Sequence, residues 1–268
     1  MSKITFVGAG NMATAIARGL IANGTDPSVI TMVDPNLDQR TLLQDTLGVT
    51  VSEDAASACK EASTILLAVK PQVVEAVAEQ IKLAGDLSDK LLISIAAGIT
   101  LEALEHLFGA IAIARAMPNT PALLGLGATG LFVNAYTTTA QQAEAEGFIE
   151  AFGICVTVER EELLDAVTAV SGSGPAFYFL MIEEMIKAGI KLGLSPNDAK
   201  NLTLQTALGA ATMAAQGDVE PDELRQRVTS PNGTTHAAIT AMQENGYGEI
   251  IEKAMIACRD RAIQLGKV

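Results

Sequence analysis

The N-terminal stretch KITFVGAGNMATAIARGLIANG constrains the fold more than any other part of the chain. Ile4 to Val7 is a short apolar run, Gly8-Ala9-Gly10-Asn11-Met12-Ala13 follows at once, and Met12, Ile16, Leu20 and Ile21 recur at helical spacing up to Asn23-Gly24. That order predicts strand, glycine turn and helix. The G-x-G-x-x-G/A pattern has a physical purpose in this setting. Gly8 permits the tight turn, Gly10 lets a pyrophosphate approach the main chain, and Ala13 keeps the helix close to a sheet. A bare strand–helix turn is the plain alternative. The pattern follows a strand, opens a helix and precedes a second strand ending in an acid, and that context favours a dinucleotide.

The second strand, in VITMVDPN, ends at Asp34, where a carboxylate binds the ribose hydroxyls of NAD. A 2′-phosphate would be repelled there unless Arg40 supplies charge, so NADPH and NADH both stay open. STILLAVKP, KLLISIAAG and AIAIARAMPNTP supply three further buried strands, alternating with helical segments around 37–47, 53–61, 72–84 and 100–108. The alternation predicts an α/β fold, a doubly wound parallel sheet with helices on both faces. Ligands of such sheets lie beyond the carboxyl ends of the strands. Ala68, Val69, Lys70 and Pro71, then Ala96 and Ala97, then Asn119, all follow strands and are candidate cofactor contacts beside Gly8, Gly10, Asn11, Met12 and Asp34.

After Pro121 the texture changes. GLGATGLFVN reads as an edge strand, followed by a helix from about Thr139 to Phe152 and a short strand CVTVE. From Leu163 onward every segment is helical in period and punctuated by proline or glycine. The expected boundary is near residue 160, giving a dinucleotide-binding Rossmann-like domain at 1–160 and an all-helical domain at 161–268. A helical half of that size is marginal as an exposed bundle, which predicts a dimer. VSGSGPAFYF, residues 170–179, reads as a break between two helices, with a pocket wall facing the nicotinamide as the alternative. Tyr178 reads as a core aromatic, with a proton donor as the alternative. VTSPNGTTHAAI, residues 228–239, places Gly233, Thr234 and Thr235 before a helix, either as a loop whose threonine caps the helix or as a cradle for a carboxylate.

Composition narrows the partners. The chain has 268 residues with 31 acidic against 18 basic, a formal charge of -13, which repels nucleic acid and anionic membranes. Three scattered cysteines and two histidines form no metal-ligand pattern. No apolar run reaches bilayer-spanning length, and the chain enters its first strand without a leader pattern, so the expectation is a cytoplasmic protein.

VGAGNMATAI, AVKPQ, SIAAGIT, RAMPNTPALLG, DAVTAVSGSGPAFYF and VTSPNGTT together resemble the pyrroline-5-carboxylate reductase family, from residue 4 to the C-terminal helices. The resemblance implies an N-terminal Rossmann domain and a C-terminal all-α dimerisation domain. It implies a homodimer, often a ring of dimers, and NADPH (NADH as the alternative) reducing 1-pyrroline-5-carboxylate to L-proline. It places Ser230, Gly233 and Thr234 where main-chain amides bind the substrate carboxylate. Thr235 falls at the threonine that hydrogen-bonds the ring nitrogen. The residue inventory agrees. Reducing a carbonyl calls for an acid to protonate the alkoxide, whereas a cyclic imine can arrive protonated. Hydroxyacid dehydrogenases of similar architecture place a lysine on the helix beyond the glycine break, where this chain reads PAFYFLM. The other readings are a relative of those dehydrogenases and a non-catalytic dinucleotide sensor.

Overall fold

β1 (Ile4–Val7) enters α1 (Asn11–Ala22) through the glycine turn, as the sequence requires. The computed structural model describes residues 3–266. β2 (Ile30–Val33), β3 (Thr50–Ser52), β4 (Thr64–Leu67), β5 (Leu91–Ser94) and β6 (Ala112–Met117) join β1 in the order β3-β2-β1-β4-β5-β6, all parallel. The crossovers are α2 (Leu37–Leu47), α3 (Ala55–Lys60), α4 (Val74–Lys82) and α5 (Leu101–Phe108). Strand order reverses between β1 and β4, which opens a crevice at their carboxyl ends. β3 has no sequence signal: it is three residues long, none of them fully buried, so it lacks an apolar run.

The edge expected at GLGATGLFVN is elsewhere. β7 (Gly127–Val133) lies inside the sheet, antiparallel to β6 and parallel to β8 (Gly153–Thr157), which forms the edge. α6 (Thr139–Glu150) carries the chain back so that β8 can pair with β7. Glycine content suggested a weak outer strand. Its effect is close pairing, since a Cβ on Gly153 would collide with the Gly127 backbone.

Alternation along the strands divides the core in two. Phe6, Met32, Leu66 and Ile93 face Ala13, Ile16, Ala17 and Leu20 of α1 and Phe148 of α6. Val7, Val33, Ile65, Leu67, Leu92 and Ile113 face Cys59, Val74, Ala78, Ile81 and Leu104 on the opposite side. Burial pushes the Cys59 thiol up to about 12, so it behaves as a small apolar side chain. Among the described residues one buried side-chain polar atom is unmatched: Thr129 Oγ1 on β7 has no hydrogen-bond partner. Thr129→Val keeps the shape and removes a stranded hydroxyl. We expect it to raise stability by about 1 kcal/mol, read as a higher urea midpoint at unchanged m-value; a lower midpoint would contradict this.

By contact density the chain forms two compact units, one up to Ser173 together with the chain from Cys258 onward, the other Gly174–Ala257. At the expected glycine break the chain stays helical. α7 (Leu163–Val167) continues through a π-helical turn at Thr168–Gly172, where Ser173 N–H donates to Thr168 O at 2.8 Å, and α8 (Gly174–Lys191) follows. α9 (Pro196–Gln216), α10 (Pro221–Arg227), α11 (Thr234–Glu244) and α12 (Tyr247–Leu265) complete the chain. α8 packs on α9, yet among the described residues of these two helices only Gly174, Ala199 and Thr203 are buried. Phe179, Leu180, Met185, Leu202, Leu208 and Met213 are exposed. Tyr178 is exposed too, at 64%, and is not a core aromatic within this chain. No described helix is long and apolar enough to cross a membrane. Among the described residues no cluster of three or more His, Cys, Asp or Glu side chains could hold a metal ion.

Candidate functional site

The two glycines of the first turn do different things. Gly8 has φ +98°, and a Cβ there would lie 2.6 Å from the Ala68 carbonyl oxygen. Only glycine fits between β1 and the end of β4. Gly10 is extended, at φ -72° and ψ -174°, and an added Cβ would meet no atom within 4 Å. The space in front of Gly10 is open. It belongs to a cavity of about 330 Å³ at the β1/β4 switch point, lined by Gly10, Asn11, Met12, Ala68, Val69, Lys70, Pro71 and Ala97. Met117 and Pro118 of the MPNTP turn also line it. Eight of the expected cofactor contacts therefore share one wall system.

The chemistry of that cavity follows from its helix start. Among the described helices that begin at a defined N-cap, α2, α3, α5, α6 and α9 are capped by the side chains of Asn36, Asp54, Thr100, Thr138 and Ser195. α4, α7 and α10 carry Glu75, Asp165 and Asp222 in their first turns. α1 and α11 have neither a capping side chain nor an acid. Their first N–H groups are unpaired and carry the positive end of the helix dipole, a combination suited to an anion. An open cradle at Gly10 facing such a helix start fits a pyrophosphate.

The remaining cofactor candidates do not line this cavity. Asp34 ends β2 as expected, but its carboxylate is engaged: Oδ2 accepts from Ala9 N–H at 3.3 Å and Oδ1 from Asn36 N–H at 2.8 Å. Arg40 donates to the Asp34 and Pro35 carbonyls at 2.7 and 3.0 Å and pairs with Glu53 at 3.1 Å. Ala96 is buried and lines, with Ala97, a second cavity of about 200 Å³. Asn119 is buried with its amide spoken for, Nδ2 donating to Ser171 O at 3.0 Å and Oδ1 accepting from Ala128 N–H at 2.9 Å. Its place is that of a brace between β7 and the π-helical turn.

The second cavity contains charges that motif reading passed over. Arg115 on β6 lines it and pairs with Glu161 at 2.6 Å; the same Glu161 oxygen accepts the Leu101 N–H at the start of α5 at 2.8 Å. Asp165 lines it as well, and burial raises its carboxyl above the usual range against the pull of Arg115. The available signal was a lone arginine within the apolar run AIAIARAM.

At α11 the expected cap is corrected. The N-cap is Gly233, Thr234 and Thr235 are the first and second helical residues, and neither hydroxyl bonds to another described residue. Gly233 N–H turns back onto the Ser230 carbonyl at 3.0 Å, so it is not a free donor. Thr234, Thr235 and His236 present the free N–H groups, of which His236 had no signal in the motif. Asn232 has φ 59°, the one non-glycine residue with positive φ among those described, and it sets the direction of the turn. Asparagine tolerates that left-handed conformation better than most residues.

Comparison with known proteins agrees with both halves. Residues 161–265 match the family described as pyrroline-5-carboxylate reductase dimerisation, and residues 3–98 match that described as NADP oxidoreductase, coenzyme F420-dependent. Pyrroline-5-carboxylate reductase of Pseudomonas aeruginosa is 46% identical over 266 residues, covering 99% of this chain and 97% of that protein. The Haemophilus influenzae protein of the same name is 42% identical, covering 98% and 97%. The structure of a pyrroline-5-carboxylate reductase from Coxiella burnetii matches with a TM-score of 0.96 at 41% identity, covering 100% of this chain and 99% of the other. That of Plasmodium falciparum pyrroline carboxylate reductase with NADP bound matches at 0.86 and 30%, covering 99% and 98%. With its glycine turn, its two bare helix starts and full-length identity of this order, the chain belongs to the pyrroline-5-carboxylate reductase family.

Proposed function

We propose that the chain reduces 1-pyrroline-5-carboxylate to L-proline, the final step of proline biosynthesis, with NADPH as the hydride donor. One observation carries the reading: of the described helices that begin at a defined N-cap, the two with neither a capping side chain nor an acid begin at the two segments, GAGNM and SPNGTT, that must hold anionic ligands in such an enzyme. When bound, NADPH supplies the hydride. The free N–H groups at the start of α1 hold the pyrophosphate, and the strand ends at Ala68–Pro71 and Ala96–Ala97 flank the rest of the dinucleotide. Thr234, Thr235 and His236 N–H groups, with the Ser230 hydroxyl, hold the substrate carboxylate. Thr235 Oγ1 accepts from the protonated ring nitrogen and orients the imine. The ring nitrogen arrives with its proton, so hydride addition to the adjacent carbon gives the amine without a side-chain acid.

Dinucleotide binding is assigned to residues 1–160, and substrate holding and dimerisation to 161–268. The exposed apolar side chains of α8 and α9 support a homodimer, which builds into a ring of dimers, and the net negative charge disfavours nucleic-acid and anionic-membrane partners for what we read as a cytoplasmic enzyme. Dilution in sedimentation velocity should reveal no active monomer; a stable, active monomer would remove the dimer from this reading. The activity itself is tested by following NADPH absorbance with 1-pyrroline-5-carboxylate, and then NADP with 3-hydroxy acids. Turnover of the imine supports the proposal. Turnover of the hydroxy acids alone would make the chain a dehydrogenase, and binding of NADPH without any turnover would make it a sensor.

A further inference from the structure

The Ala9–Gly10 peptide is gripped by a side chain from outside the glycine motif. Gln39, in the first turn of α2, donates from Nε2 to the Ala9 carbonyl at 2.7 Å, while Thr14 Oγ1 reaches that oxygen only at 3.5 Å. Asp34 Oδ2 accepts the Ala9 N–H, so the residue is tied at both ends. In a trans peptide the C=O and the following N–H point in opposite directions. Holding the Ala9 carbonyl therefore aims the Gly10 N–H away from α2, and among the described residues that N–H has no partner. Glycine at position 10 offers little resistance to rotation of the peptide, because it has no Cβ to restrict φ. A flipped peptide would turn the Ala9 carbonyl, rather than the Gly10 N–H, toward an anion.

We propose that Gln39 is a positioning residue for the dinucleotide: it locks the Ala9–Gly10 peptide with its N–H available to the pyrophosphate and its carbonyl turned away. This rests on the proposed binding of NADPH at the glycine turn. A merely structural role, fastening α2 to the turn, would appear as lost stability with cofactor affinity intact.

The test is a fluorescence titration with NADPH, alongside steady-state kinetics and thermal melting. Gln39→Met keeps the length of the side chain and removes the donor without adding charge. Its Kd and KM for NADPH should rise about tenfold, the worth of one hydrogen bond that orients a charged contact. Its kcat and its KM for the imine should stay within about twofold, since the change is confined to cofactor binding. Gln39→Lys restores a donor of similar reach and should recover most of the affinity. A folded Gln39→Met protein with wild-type Kd overturns the proposal, and so does Gln39→Lys binding as poorly as Gln39→Met. Should Gln39→Met fail to fold, Gln39→Ser carries the same comparison. Wild-type protein that binds no NADPH would instead defeat the underlying reading, an outcome separate from either of these.

Discussion

Gly10→Val should fold and melt like the wild type yet bind NADPH at least a hundredfold more weakly. The backbone at Gly10 is extended, a conformation open to any L-residue, and beyond its chain neighbours no atom lies within 4 Å of an added Cβ. The main chain therefore accepts a β-carbon here without strain in the free protein. The methyl groups of valine occupy the cavity directly in front of the α1 N–H groups, where phosphate oxygens must approach to hydrogen-bond distance. Hydrogen bonds to a charged group contribute about 1.5–3 kcal/mol each, so losing two costs roughly two to four powers of ten in affinity. Gly8→Ala is the contrasting variant. With φ +98° and a Cβ colliding with the Ala68 carbonyl, it should lose stability before it loses anything else. Titration of both variants, with a melt of each, separates room for a ligand from room for the chain. NADPH affinity unchanged in Gly10→Val would move the dinucleotide away from this turn.

The sheet was legible where strands are buried on both faces. β1, β4 and β5 announce themselves as short, buried and mainly apolar runs, and their alternation with helices dictates parallel pairing. β3 and the edge position of β8 were not legible, because each depends on what a half-exposed segment meets after the chain has turned. In Ile154 and Val156 of β8 an apolar side chain stays exposed, so local pattern says little about which strand is outermost. The site divides in the same way. Gly8, Gly10 and the residues after β4 could be named because their main-chain geometry is the function. Asn119 looked like a rim residue of equal standing, but its carbonyl and amide bridge Ala128 and Ser171, which lie 9 and 52 positions away. The Arg115–Glu161 pair and the Gln39 contact are likewise long-range. The threonine cap at α11 failed for a local reason: Gly233 folds back on Ser230 and takes the N-cap position itself, ahead of both hydroxyls.

That shift sharpens what Thr235 should do. As the second residue of α11 it caps nothing, and its hydroxyl bonds to no other described residue, so removing it leaves the helix start unaltered. An N-cap threonine would cost about 1 kcal/mol of stability on mutation to alanine; Thr235→Ala should cost much less. The expected loss is in catalysis. One hydroxyl contact to a charged ring nitrogen contributes about 1.5–3 kcal/mol, so the specificity constant for 1-pyrroline-5-carboxylate should fall roughly ten- to a hundredfold. Affinity for NADPH should be nearly unchanged. Thr235→Val preserves the volume and should fall as far as Thr235→Ala, because the missing group is the hydroxyl rather than the bulk, while Thr235→Ser should keep most of the activity. Thr234→Ala is the neighbouring control for the main chain. Its N–H survives the substitution and its hydroxyl is not a cap, so both stability and turnover should change little. Wild-type kinetics in Thr235→Ala would leave the N–H groups of α11 and the Ser230 hydroxyl to hold the substrate, and the imine would then be oriented by its carboxylate alone.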